Sequence, residues 1–306
     1  MSILITQGDA SGIGPEITVR ALRRFSEKDR RKIVLVGSKA VFMENGWDSN
    51  LCSLIETSVS NFKLVKGKEN VFSGRLSFKV FETAVKLAEK KKIDAIVTAP
   101  ISKKAWALAG IKYVGHTDYL RDRFKKELLM CFKKGEINTA LLTEHVALRD
   151  VSRFVKKNNI ISKLKLFKSM TDAFACNSQL MVAGLNPHCG DDGVIGKEEV
   201  KEIIPAIRAT NKAGVDVIGP YNPDDLLKKY NNKKAGGGFF MYHDQLIPLL
   251  KFLNNKNDIV HITWGLDFVR TSPAHGTAFD IAYKNTADET SMYEAIKIAM
   301  DMVSKN

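Results

Sequence analysis

Short apolar runs alternate with helically spaced segments along this chain, and that alternation limits the folds open to it. Runs of strand length occur at Ile3 to Thr6, Ile33 to Val36, Ala95 to Thr98, Thr139 to Leu142, Leu180 to Ala183, Val215 to Ile218, Phe239 to Tyr242 and Ile259 to Thr263. Between most of them lie helical patterns, at Pro15 to Phe25, Phe78 to Lys92, Ile160 to Cys176, Lys197 to Ala213 and Met292 to Val303. In the second of these, Phe78, Phe81, Val85 and Ala88 recur near the helical period and would form one apolar face. Strand and helix in turn predict an α/β protein with a largely parallel sheet. The spacing is too irregular for eight equal units, which favours an open, doubly wound sheet over a closed barrel.

Length and composition agree with that class. At 306 residues the chain allows about two domains of roughly 150 residues each. Its 44% hydrophobic and 26% charged residues are those of a globular protein, not of a disordered one. No segment offers the roughly 18 uncharged apolar residues of a membrane span, and the opening MSILITQGD lacks the basic and cleavage features of a secretory signal. Cys52, Cys131, Cys176 and Cys189 form no CxxC pair, so neither a zinc ribbon nor a disulfide framework is indicated and a cytoplasmic location is expected. With no Pro/Ser-rich linker, crossings near Gly110 to Gly115 and near His275 predict one discontinuous domain (1–113 with 281–306) and a second over 114–280.

Lys and Arg number 47 against 34 Asp and Glu, a formal net charge of +13. That charge suits a nucleic-acid surface, an acidic small molecule, or a solvated lysine-rich surface. A nucleic-acid surface predicts basic and aromatic residues gathered on one element. The lysines at 90–92, 125–126 and 156–157 are spread instead, so no nucleic-acid partner is expected.

The six histidines carry more information. Four of them end or interrupt an apolar run, in INTALLTEH, QLMVAGLNPH, GGFFMYH and DIVHITW. Ligands of open α/β sheets bind outside the carboxyl ends of the strands, where side chains distant in sequence converge. His145, His188 and His243 are 43 and 55 residues apart, a spacing that suits three strands feeding one site. Taken singly, a histidine is more often a satisfied structural residue. Three neutral imidazoles with open positions describe a catalytic metal site. In GDASGIGPE, Gly12 and Gly14 follow the first strand, and Pro15 opens a helix whose N-terminus suits an anion. The spacing matches neither GxGxxG nor a Walker A loop, and a tight strand-to-helix turn explains it equally well. Gly236 to Gly238 reads as a loop before a strand. His116 and Thr117 in the loop GHTDYL, with Lys251 and Arg270, would make a phosphate pocket beside the metal.

Taken together the motifs resemble the 4-hydroxythreonine-4-phosphate dehydrogenases of the vitamin B6 pathway. The resemblance runs in order through GDASGIGPEI, VTAPISKKA, GHTDYL, TEHVALRDV, AGLNPHCGDDGVIGKEE, GPYNPDDLL, MYHDQLIPLLK, GLDFVRTS and AHGTAFDIA. NPH, YHDQ and HGTAFDIA carry the specificity, whereas GxGPE is shared with the wider isocitrate and isopropylmalate dehydrogenase group. The family's metal histidines fall on His145, His188 and His243, and its substrate contacts on His116, Thr117, Lys251 and Arg270. One substrate position departs from the family: His261 stands where asparagine is usual.

The resemblance implies a two-domain open α/β fold like isocitrate and isopropylmalate dehydrogenase, with a cleft between the domains. It implies a homodimer whose subunits both contribute to each site. The implied cofactors are NAD, with NADP as the alternative, and one divalent metal per site, zinc, magnesium or cobalt. The implied reaction oxidises 4-phosphooxy-L-threonine at C3 and releases CO2, leaving 3-amino-2-oxopropyl phosphate. A related dehydrogenase acting on 4-phospho-D-threonate or 4-phospho-D-erythronate is the alternative. Asp244, beside His243, is assigned to orienting a ligand or accepting a proton.

Overall fold

The structure is a computed structural model that describes residues 2–176, 179–231, 236–253 and 257–305. Its strands are β1 (Ile3–Thr6), β2 (Ile33–Gly37), β3 (Ser53–Glu56), β4 (Ala95–Thr98), β5 (Leu129–Lys134), β6 (Ile137–Leu141), β7 (Leu180–Ala183), β8 (Val217–Tyr221), β9 (Gly237–Phe240), β10 (Val260–Trp264) and β11 (Val269–Pro273). The chain divides into two compact units, Met1–Leu128 with Val260–Asn306, and Leu129–Ile259. No helix among the described residues is long and apolar enough to cross a membrane.

In the first unit the strand order is β3-β2-β1-β4-β11-β10, parallel throughout except for the antiparallel β10–β11 pair. All four residues of β1 and of β4 are buried, as expected of parallel strands covered on both faces. The helix Val71–Glu89 lies against β1, β2 and β4. Asn70 caps it, its Oδ1 accepting the Ser73 N–H at 2.9 Å. Leu76, Val80, Phe81, Ala84, Val85 and Ala88 form its buried face. Trp106, fully buried on the helix Lys103–Leu108, meets Phe78 edge-on at 5.3 Å and donates from Nε1 to Ser77 Oγ at 2.9 Å. Burying each such aromatic contributes roughly 1.5–3 kcal/mol.

In the second unit the order is β5-β6-β9-β7-β8, with β5–β6 an antiparallel hairpin and the other pairs parallel. The helix Lys157–Ala173 covers one face through Ile160, Leu164, Phe167 and Met170.

Three strands escape the apolar-run reading. β3 is half-exposed; β5 ends in two lysines; β11 is buried but built from Arg270, Thr271 and Ser272. Two loop readings are also corrected. Gly237 and Gly238 are not loop but open β9, because Phe167 and Leu226 press on them: a Cβ would stand 2.4 Å and 2.8 Å from those side chains. GHTDYL is helical rather than a loop. His116–Phe124 forms a helix in which Gly115 is the extended N-cap and Asp118 Oδ2 accepts the Val114 N–H at 3.2 Å.

Candidate active site

β6, β9 and β7 are parallel and adjacent, so their carboxyl ends lie along one edge of the second unit. Backbone pairing continues past the strands, Leu142 N–H to Phe240 O at 2.8 Å and Thr143 N–H to Met241 O at 3.1 Å. His145 and His243 follow those extensions, and their rings stand 5.6 Å apart between centroids. Gln245 ties the third strand in: its Oε1 accepts the Met241 N–H at 2.7 Å and its Nε2 donates to Gly184 O at 2.6 Å.

Beyond Gly184 the chain makes the turn that carries His188. Residues 188–192 all lie in the left-handed region, His188 at φ 52° and Gly190 at φ 81°. Non-glycine residues there cost roughly 1–2 kcal/mol each, so the turn is held by something outside itself. The buried Glu199 carboxylate accepts the Leu185 and Asn186 N–H groups, each at 2.7 Å, and the Asn186 side-chain amide at 2.8 Å.

A metal finds partial accommodation here. Asp244 Oδ1 lies 2.6 Å from His243 Nδ1, an arrangement that puts a proton on Nδ1 and leaves the Nε2 lone pair for an ion. His145 and His243 fit as two imidazole donors to one ion. Among the described residues no three His, Cys, Asp or Glu side chains form a metal set. Both His145 and His188 are exposed. Lys251 lies two turns beyond His243 on the helix His243–Phe252, also exposed.

The first unit holds a different cluster. Arg270, 3% exposed in β11, donates from Nη1 to Thr263 Oγ1 at 2.9 Å and His261 Nδ1 at 3.0 Å. From Nη2 it donates to Thr98 Oγ1 at 2.6 Å and His116 Nδ1 at 3.2 Å. A guanidinium only donates, so both imidazoles accept through Nδ1 and carry their proton on Nε2. Ser272 Oγ also lies 3.2 Å from His261 Nδ1. Burial, and then the nearby Arg270 charge, hold the His116 imidazole well below its usual pKa. Burial lowers Arg270 to about 9, so it is still charged at neutral pH. All four of these partners are neutral, and no carboxylate pairs with Arg270 among the described residues. Nε of Arg270 and Nε2 of His116 are buried without a partner. A buried cation in that state is costly, and an anion would relieve it. Thr117, half-buried, follows His116 in the first helical turn.

The glycines of the first loop are packed on the chain itself. A Cβ on Gly12 would stand 2.7 Å from Thr277 O, and one on Gly14 2.7 Å from Gln7 O; the Ile13 N–H is already taken by Thr277 O at 2.9 Å. Beside them, burial raises the Asp9 carboxyl to about 6.

Thr98, Thr263, Asn186, Glu199 and Gln245 have no role in the motif reading, although VTAP, NPH, GKEE and YHDQ contain four of them. Their partners lie up to 172 residues away in sequence, for Thr98 and Arg270, and no spacing rule reaches that far.

Residues 17–299 match the family model described as pyridoxal phosphate biosynthetic protein PdxA. The 4-hydroxythreonine-4-phosphate dehydrogenase of Sulfurimonas denitrificans is 38% identical over 97% of this chain and 96% of its own. A Fusobacterium nucleatum relative with a D-threonate 4-phosphate dehydrogenase name is 32% identical over 97% of this chain and 96% of its own. The crystal structure of 4-hydroxythreonine-4-phosphate dehydrogenase from Klebsiella pneumoniae superposes with a TM-score of 0.85, at 30% identity, covering 99% of this chain and 98% of that one. Isocitrate dehydrogenase from Methylococcus capsulatus shares the fold, with a TM-score of 0.54 at 13% identity. The family model over residues 17–299 and a relative 38% identical over nearly the whole of both chains agree: the chain belongs to the pyridoxal phosphate biosynthetic protein PdxA family.

Proposed function

We propose that the protein is an NAD-dependent, divalent-metal-dependent 4-hydroxythreonine-4-phosphate dehydrogenase of pyridoxine 5'-phosphate biosynthesis. The observation that carries the reading is Arg270: a buried guanidinium surrounded by neutral acceptors, with no carboxylate partner among the described residues, suits a phosphorylated substrate. His116, Thr117, His261 and Arg270 bind the phosphate, and Lys251 adds a further cation to substrate binding. In the reaction the C3 hydroxyl of 4-phosphooxy-L-threonine loses its proton and C3 passes a hydride to NAD. The resulting β-keto acid loses CO2, the electron pair of the broken bond passing to the carbonyl, and protonation gives 3-amino-2-oxopropyl phosphate. His145, His188 and His243 would hold the divalent ion, zinc, magnesium or cobalt, which lowers the pKa of the reacting hydroxyl and stabilises charge on its oxygen. Asp244 orients His243.

A homodimer accompanies this reading. The His145 and His243 rings stand 5.6 Å apart, and the segment that carries His188 is exposed, with Val194 at 83%, Ile195 at 48% and Val200 at 47%. Exposed apolar side chains in the segment that carries His188 suit a face that a second copy of the chain would cover.

NADH formation by the purified protein, with and without chelator, tests the reaction on 4-phosphooxy-L-threonine and on 4-phospho-D-threonate. Turnover of the first that stops with chelator is expected. Turnover of the second alone would move the assignment to the D-threonate reading, the name that the Fusobacterium relative carries. Replacing His188 by Ala should abolish turnover with the fold intact.

A further inference from the structure

We infer that Glu199 is the positioning residue of His188, fixing the turn that presents this imidazole. The inference rests on His188 being a metal ligand, as proposed above. Besides the Glu199 carboxylate, the turn is tied at Cys189, whose Sγ donates to Asn222 Oδ1 at 3.7 Å, and by the Ile195 N–H, which donates to Gly190 O at 3.1 Å. Of residues 187–193 only Gly190 is buried, and Val194, the next residue, is 83% exposed, so apolar packing does not fix it. Its backbone is left-handed from His188 to Asp192, a conformation that relaxes unless its ends are anchored.

Glu199 supplies the anchor. The residue is 1% exposed at the start of the π-helical turn Glu199–Ile203. Oε1 accepts from the Leu185 and Asn186 N–H groups, and Oε2 from Asn186 Nδ2. Asn186 Nδ2 also donates to Glu198 Oε2 at 2.9 Å, and the Asn186 carbonyl accepts the Cys189 N–H at 3.1 Å. Hydrogen bonds thus run from the carboxylate through Asn186 to the residue after His188. Three glycines clear the space around this network. A Cβ on Gly184 would meet Glu199 Oε1 at 3.2 Å, one on Gly190 would meet Oε2 at 2.7 Å, and one on Gly196 would meet Asn186 Nδ2 at 2.2 Å. No lysine or arginine pairs with Glu199 among the described residues, and its two oxygens are met by N–H donors. Three N–H donors converging on one buried carboxylate make a rigid joint.

Glu199→Gln keeps size and shape but turns one acceptor into an N–H2 donor facing N–H groups, which forces Asn186 away. Partners that orient metal ligands are worth about 10–100-fold in metal affinity when removed. Titration of the full-length protein with Co2+, read by visible absorption and calorimetry, tests this. Glu199→Gln should bind Co2+ at least tenfold more weakly than the parent while circular dichroism stays native. Amide exchange at Leu185 and Asn186 should accelerate, and Glu199→Asp should recover part of the affinity. Parent-like Co2+ affinity in Glu199→Gln overturns the inference. If that variant does not fold, Asn186→Ala decides: it should also lose at least tenfold, and parent-like affinity overturns the inference. His188→Ala separates the two levels. Undiminished Co2+ binding in that variant removes His188 from the metal site, and the inference with it, whatever Glu199→Gln does.

Discussion

Arg270 in β11 donates through Nη2 to Nδ1 of His116, 3.2 Å away, joining a strand to the first turn of a helix 154 residues earlier in sequence. The bond fixes the tautomer of His116 and holds the guanidinium flat among four neutral acceptors. What the first unit presents is therefore a prebuilt cation, formed before any ligand arrives.

Arg270→Lys keeps the charge and loses the fork. One ammonium cannot reach Thr98, Thr263, His116 and His261 together, so at least one buried acceptor is left unpaired, at about 1–3 kcal/mol. KM for the phosphorylated substrate should rise at least tenfold, and the melting temperature should fall. Steady-state kinetics with a thermal melt checks both; an unchanged KM would take Arg270 out of the substrate site.

Inorganic phosphate should stabilise the parent protein. A ligand that binds only the folded state stabilises by RT ln(1 + [L]/Kd), about 2.7 kcal/mol at a hundredfold excess over Kd. Thermal melts at rising phosphate and constant ionic strength should show Tm climbing for the parent and flat for Arg270→Met. Equal shifts in both would mean that phosphate binds elsewhere.

Alternation of apolar run and helix was enough to expect an α/β sheet, because buried parallel strands such as β1 and β4 must be apolar on both faces. β11 is invisible to that test, since three of its four buried residues are polar: Arg270 sits in the histidine cluster, Ser272 Oγ lies 3.2 Å from His261 Nδ1, and Thr271 donates to Ala295 O. His145 and His243 could be read together because β6 and β9 are parallel neighbours whose ends lie on one edge, where the two rings stand 5.6 Å apart. The supporting residues could not: Gln245 reaches Gly184 across 61 positions, and Glu199 reaches Leu185 through a turn whose left-handed backbone no propensity predicts. Functional side chains leave chemical signatures in sequence, whereas their supports are defined only by the fold.

Ser77→Ala tests the packing behind His116. Ser77 Oγ accepts from Trp106 Nε1, both residues 1% exposed or less, and the Trp106 ring meets the His116 ring edge-on at 5.5 Å. Removing the hydroxyl leaves a buried indole N–H unpaired, at about 1–3 kcal/mol. Denaturant unfolding should show that loss with little change in the m-value. A loss below about 0.5 kcal/mol would mean that the indole finds another acceptor.

Asp9 makes stability depend on pH. Burial raises its carboxyl from 3.8 to about 6, so between those values the folded chain holds a proton that the unfolded chain has released. Stability from this group is therefore lost as pH climbs from about 4 to 6, and the penalty stays in full above that. At 1.36 kcal/mol per unit, a shift of about two units amounts to about 3 kcal/mol at most. Asp9→Asn is uncharged at every pH and can still accept the Ser11 N–H, now 2.9 Å from Asp9 Oδ1. The variant should melt above the parent at pH 8, and the gap should close as the pH is lowered toward 4. A variant less stable than the parent at pH 8 would show that the Asp9 charge is compensated in the folded state, and that its titration does not set the neutral-pH stability.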